Sequence, residues 1–267
     1  PSVAVRAFGT SAWWILLLYG LVYTLGAWLT ARLAQKFPEE TVVEFAPRLL
    51  GRFLGLAVNL ALIGVFLAVV PLEVRAMVEI TNIAILPFGP GWFISGLFLL
   101  TLVYGVAKGL DTFVQVNEVL IGIALFFGML IVLLSWQNIN LLHLRPVFHP
   151  SQFHPEQVPA LLGPALGFFG YPLLLYLAPF LREPRRMTAS AFRAVFFVTL
   201  LYAFLTWTVL GVFGRVETAS QGWPLLELAK SINLPGILVE RLDLVLIAAW
   251  IPALYTTAAA AFFFGVL

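Results

Sequence analysis

The chain contains no cysteine, which excludes disulfide cross-links and thiolate-held metals. Charge is scarce too: Asp, Glu, Lys and Arg together make up 10% of its 267 residues. The net charge of +2 is scattered through short breaks, whereas nucleic-acid binding needs a concentrated basic face, so no nucleic-acid partner is expected. Catalytic constellations are missing as well. No Asp-rich, His-cluster or Ser/His arrangement falls within the apolar runs, so the chain is expected to be no enzyme and to need no cofactor. His143, His149 and His154 share one loop with Pro146, Pro150 and Pro155. No carboxylate or cysteine joins them at a ligand spacing, so no metal site is expected there.

What the chain has is apolar surface. Hydrophobic residues are 61% of the sequence and the mean hydropathy is +1.00, outside the range of soluble domains. Seven runs carry no charged side chain: Ala7 to Ala31, Phe53 to Leu72, Ile80 to Ala107, Val119 to Leu142, Val158 to Leu181, Ala194 to Gly214 and Leu244 to Leu267. A helix needs roughly 20 mostly apolar residues to cross the hydrocarbon core. The runs, spans A to G, therefore read as membrane helices in a lipid bilayer. The breaks between them are too short for a soluble domain, so residues 1–267 read as one polytopic membrane domain. No cleavable leader is expected, because the first run continues through a full span. The start at Pro1 and the apolar end at Leu267 lead us to expect a fragment of a longer chain.

If the breaks alternate sides, nine basic residues share the side of the A–B, C–D and E–F breaks and six lie on the other. The A–B break holds Lys36, Arg48 and Arg52, and the E–F break holds Arg182, Arg185 and Arg186. The positive-inside rule places these clusters in the cytoplasm. Trp13, Trp14 and Trp28 suit interfacial anchors of span A. Pro38 to Gly51 reads as a short surface helix, with Glu40, Glu44, Arg48 and Arg52 on one stripe and Pro47 kinking or dividing it. Span B runs past Pro71 into Glu73, Arg75 and Glu79, an ion-paired membrane edge or an outer vestibule for a charged solute. Span C is expected from about Gly91 to Ala107, span D to begin at Asn117 and Glu118, and span F to be continuous.

Span E carries the chemistry. Gly163, Pro164, Gly167, Gly170 and Pro172 within one run combine low helix propensity with missing amide donors. A helix should fail there, between about Gly163 and Gly170. Broken backbone at membrane depth is tolerated where it lines a cavity, as in the discontinuous helices of transporters, although small residues four apart also serve close helix packing. The expected ligand-binding residues are Gly163, Pro164, Gly167, Phe168, Gly170 and Tyr171 from span E, with Trp250, Tyr255 and Thr256 from span G. Half-helix ends hold a carboxylate and aromatic faces accept an ammonium or apolar side chain, so the lining suits an amino acid and not a polyanion. Thr256 and Thr257 have an alternative use, bonding their own backbone.

Several segments together resemble the spore germination permease family, the B subunits of nutrient germinant receptors. They are Phe37 to Phe45, Leu50-Gly51-Arg52-Phe53-Leu54-Gly55, the Leu86-Pro87 turn, Asn140-Leu141 with Arg145-Pro146-Val147, and Glu240 to Asp243 leading to Trp250. That family belongs to the amino acid-polyamine-organocation superfamily. The resemblance implies an all-α, LeuT-type inverted-repeat fold, with spans A to G matching helices two to eight of ten and the first and last helices missing. Span E then becomes helix six, one of the broken pair that holds the solute. One departure stands at Gly109-Leu110-Asp111, which leads to Gln115 and Glu118 where the family often has an Arg before the Glu. The resemblance implies a germinant-receptor subunit that senses a small nutrient such as an amino acid, works with other receptor subunits, and lies in the cell membrane or inner spore membrane. A secondary permease coupled to H⁺ or Na⁺ would need the same cavity.

Overall fold

Hydrocarbon offers no partner to a backbone amide, so a chain this apolar must pair its amides internally. A computed structural model describes residues 1–147, 167–168, 170–232 and 242–266, which hold helices and turns and no strand. Five helical stretches among the described residues are long and apolar enough to cross a membrane: Ser2–Ala34, Arg52–Ala84, Leu110–Leu134, Pro184–Ser220 and Leu242–Val266. Gly91–Ala107 and Tyr171–Phe180 are apolar but shorter. The chain is an all-helical integral membrane protein. It divides into two compact units, Pro1–Asn59 with Ser135–Leu228 and Leu60–Leu134 with Ala229–Leu267.

The first unit begins with α1 (Ser2–Phe8), a 3₁₀ turn and α2 (Ala12–Ala34). Gly20, Thr24, Ala27 and Ala31 of α2 are buried at helical spacing, a small-residue stripe that lets another helix come close. The helix that does so is α8 (Met187–Ser220). A side-chain carbon at Gly20 would run into Thr199 of α8. The Thr24 hydroxyl turns back to the Gly20 carbonyl at 2.7 Å and Thr199 to Val195 at 2.8 Å, so neither leaves a polar group bare in the contact.

Helix α3 (Val42–Leu50) starts at Val42 and not at Pro38, because Thr41 and Glu44 form a capping box. The Thr41 amide donates to Glu44 at 2.7 Å, and Arg48 reaches back to Glu40 at 2.8 Å. Pro47 lies inside α3 and does not divide it. Proline has no N–H for the carbonyl four residues earlier, which here is that of Val43. Asn59, near the start of α4 (Arg52–Ala84), supplies the missing donor at 3.0 Å. Gly55, one turn earlier on α4, gives the room: a side-chain carbon there would strike the Pro47 backbone.

Span F is not continuous to its end. Gly214, with φ 74° and ψ 179°, breaks the helical path of α8, a conformation open essentially to glycine. Just before the break, the Gly211 carbonyl accepts the Asn140 amide at 2.9 Å, and His143 Nδ1 lies 3.0 Å from the same oxygen.

The second unit holds the remainder of α4, then α5 (Gly91–Ala107), α6 (Leu110–Leu134) and α10 (Leu242–Val266). Span C has the expected bounds. Span D starts earlier than expected: Asp111, Gln115, Asn117 and Glu118 are all helical, since charges mark where a span leaves lipid and not where its helix stops. Pro71 lies within α4 without ending it, and Arg75 pairs with Glu79 one turn on at 2.8 Å. Ala258, Ala259 and Ala261 of α10 pack with Val70, Phe98 and Leu102. Helix α9 (Pro224–Ser231) begins in the first unit, whose last residue is Leu228, and α7 is the single turn Leu174–Leu177.

Candidate functional site

Gly163, Pro164 and Phe169 lie outside the described residues. From Gly167 onward the interruption of span E is visible. Gly167, Phe168 and Gly170 lie in turns, Tyr171–Leu173 and Ala178–Phe180 form 3₁₀ turns, and only α7 between them is α-helical. Tyr171 is followed by Pro172, which brings no amide donor to the turn. The Gly167 carbonyl accepts the hydroxyl of Tyr202 on α8 at 3.2 Å.

Aromatic rings close in around this segment. Phe168 stacks on Tyr23 of α2 with centroids 5.4 Å apart, and meets Tyr202 edge-on at 5.2 Å. Tyr171 meets Tyr23 edge-on at 6.0 Å, and Tyr23 stacks on Tyr19 one turn before it at 6.0 Å. Offset and edge-on pairs of this kind exceed plain area burial in strength. Tyr171 also lies beside Gly26 of α2, where a side-chain carbon would make ordinary contact with its ring at 3.5 Å.

Beside the rings lies a cavity of about 270 Å³. Gly167, Phe168, Gly170 and Tyr171 line it together with Leu174 of α7 and Val195 and Val198 of α8. Its wall is almost wholly apolar, and the polar groups nearest to it are backbone and phenol groups. Among the described residues no charged side chain lines it. Four of the sequence-predicted residues thus share one wall. Phe168 is 4% exposed and packs into the core of α1 and α2, so it anchors the segment more than it meets the cavity.

The span G residues fall in the second unit and have local uses there. Tyr255 donates to the Thr101 carbonyl of α5 at 3.2 Å, stands edge-on to Phe98 at 6.2 Å, and lies where Gly105 leaves space. The Thr256 and Thr257 hydroxyls donate to Ala253 at 3.0 and 2.9 Å. Trp250 is half-buried on α10. Sequence reasoning missed Tyr19, Tyr23 and Tyr202. The four-residue spacing of Tyr19 and Tyr23 was the available signal, placing both phenols on one face of α2.

At one end of the first unit, Gln35 donates to the carbonyls of Pro184 and Arg185 at 2.7 and 3.0 Å. The A–B and E–F breaks therefore share an end, as the alternation of spans requires. The other end gathers Thr10, Ser11 and Trp14, which donate to Pro146 or Val147 at 2.6, 3.0 and 2.9 Å. Among the described residues no group of three or more His, Asp or Glu is placed to hold a metal.

The spore permease family, described as "Spore germination protein", matches residues 1–267. The spore germination protein YndE of Bacillus subtilis is 28% identical over 259 residues, covering 96% of this chain and 70% of that protein. Spore germination protein B2 of the same species is 27% identical over 251 residues, covering 94% and 67%. GerLB of Bacillus cereus, also a spore germination protein, is 27% identical over 260 residues, covering 97% and 69%.

Proposed function

Since the chain belongs to the spore germination permease family, we propose that it is the membrane subunit of a germinant receptor that senses a small nutrient such as an amino acid. The observation that carries this reading is that Gly167, Phe168 and Gly170 of span E lie in turns and, with Tyr171, line an apolar cavity of about 270 Å³. A cavity of that size lies just under the range for drug-sized ligands and suits a compact solute. Backbone groups freed from helical pairing meet the ends of the solute, and the ring of Tyr171, which Tyr23 backs edge-on, meets its side chain or ammonium. The described residues of the site supply no cation to neutralise a phosphate.

On this reading the seven apolar runs are helices two to eight of a LeuT-type inverted-repeat fold in a single polytopic domain. The 17 residues of α5 support counting it as a span, because at 1.5 Å per residue they reach about 26 Å, close to the thickness of the hydrocarbon core. The subunit acts with other receptor subunits in the cell membrane or inner spore membrane, and its part is sensing and not catalysis. Uptake of labelled solute by the reconstituted full-length protein would assign transport in place of sensing.

The test is a nutrient panel on spores carrying the full-length protein. Tyr171→Ala and Tyr202→Phe are expected to change which amino acids trigger germination, or the concentration required, by about 10-fold or more, with protein abundance unchanged. Responses identical to wild type in both variants would overturn the assignment.

A further inference from the structure

Charge is sparse in this chain, yet three guanidinium groups share one cavity away from the interrupted helix. The end of α2, the turn Pro184–Arg186 and the start of α8 border an open cavity of about 480 Å³, with Arg32, Arg185 and Arg193 in the wall. Among the described residues no carboxylate lines it. Glu183, the nearby acid of the E–F break, is taken by Arg186 at 2.6 Å, and none of the three lining arginines has a carboxylate partner among the described residues.

The wall is held in place. Gln35 ties the turn to α2 by donating to the Pro184 and Arg185 carbonyls, and the Thr188 hydroxyl donates to Gln35 Oε1 at 2.7 Å, fixing which way the amide faces. The Arg32 guanidinium lies over the Trp28 ring, 4.1 Å from its centroid. Three cations around one space repel one another unless an anion sits between them. The planar fork of arginine matches the oxygens of a phosphate better than any other side chain does.

The surface continuing from the cavity indicates what carries that phosphate. Phe192 is part of the wall, and Phe196 and Leu200 follow at four-residue steps along α8, all three exposed. A soluble anion would gain nothing from that stripe, whereas an acyl chain attached to the phosphate would lie along it. The geometry points to a binding site for the phosphate headgroup of an anionic phospholipid, held by Arg32, Arg185 and Arg193 with its acyl chain along Phe192, Phe196 and Leu200. A lipid there would brace the E–F break against α2.

Native mass spectrometry of the full-length protein tests this, with phosphatidylglycerol and phosphatidylcholine offered in turn. Phosphatidylglycerol should be retained in preference, and R185Q/R193Q should weaken its retention about 10-fold while leaving phosphatidylcholine unchanged. R182Q, outside the cavity wall, should change it by less than about twofold. If the double variant does not assemble, R193Q alone carries the same comparison. Equal retention of the two lipids, or an equal loss in R182Q, overturns the site. Displacement of phosphatidylglycerol by excess inorganic phosphate overturns the lipid source, and adducts that survive it support the acyl-chain contact.

Discussion

Asn59 shows how one side chain makes a breaker tolerable. It is 5% exposed, and its amide replaces the donor that Pro47 cannot give to Val43. Removing it leaves a carbonyl without a partner in a protein contact, which costs about 1–3 kcal/mol. Asn59→Ala should therefore lower the midpoint of thermal unfolding of the purified protein. Pro47→Ala restores a backbone donor to Val43, so the same Asn59→Ala substitution in that background should cost less. A double-mutant cycle in detergent measures the difference, and equal costs in both backgrounds would contradict the coupling. The sequence showed Pro47 as a breaker, but its remedy stands 12 residues away in another helix, and no local pattern announces it. Tyr202 is the same case at the site: nothing in the run Ala194 to Gly214 marks it as the donor to Gly167.

At the scale of elements, the two irregular helices behave differently. Span E gave the clearest signal because several helix-breaking residues in one apolar run leave few alternatives; of the stretch expected to fail, Gly167, Phe168 and Gly170 are described and lie in turns, and the rest lies outside the described residues. The break in α8 was hidden, since Gly214 closes an uncharged run and reads as a span end, while the helical stretch continues past it to Ser220. The positive φ at Gly214 restricts substitution. Gly214→Ala should cost about 1–3 kcal/mol, because a side-chain carbon is strained at that φ and ψ. Gly222, in open space, is the control whose replacement by Ala should move the unfolding midpoint little. The midpoints of the two variants check this, and equal shifts would mean that the break does not depend on glycine. Charges misled the reading of α6 for a related reason. Asp111 and Glu118 bound the apolar run, but a helix continues wherever its backbone can pair, inside lipid or out.

For the molecule as a whole, composition alone established a membrane protein, and the helices agree. The basic clusters of the A–B and E–F breaks lie at one end of the first unit, where the positive-inside rule has most force. Because the chain has no cysteine, single cysteines report topology without background. Lys36→Cys and Arg182→Cys, both at exposed positions, should resist an impermeant thiol reagent in intact cells and react after permeabilisation. Labelling of both from outside would invert the topology.

The central claim is that Gly167, Phe168, Gly170 and Tyr171 of span E form the wall of a nutrient site. Isothermal titration of amino acids into the full-length protein, wild type against Gly167→Leu, tests it most directly. Leucine adds apolar bulk at the cavity wall without hindering membrane insertion. The account predicts that wild type binds at least one small amino acid, that Gly167→Leu loses this binding while keeping its abundance, and that sugar phosphates do not compete with the amino acid for the site. Undiminished amino-acid binding by Gly167→Leu would contradict it.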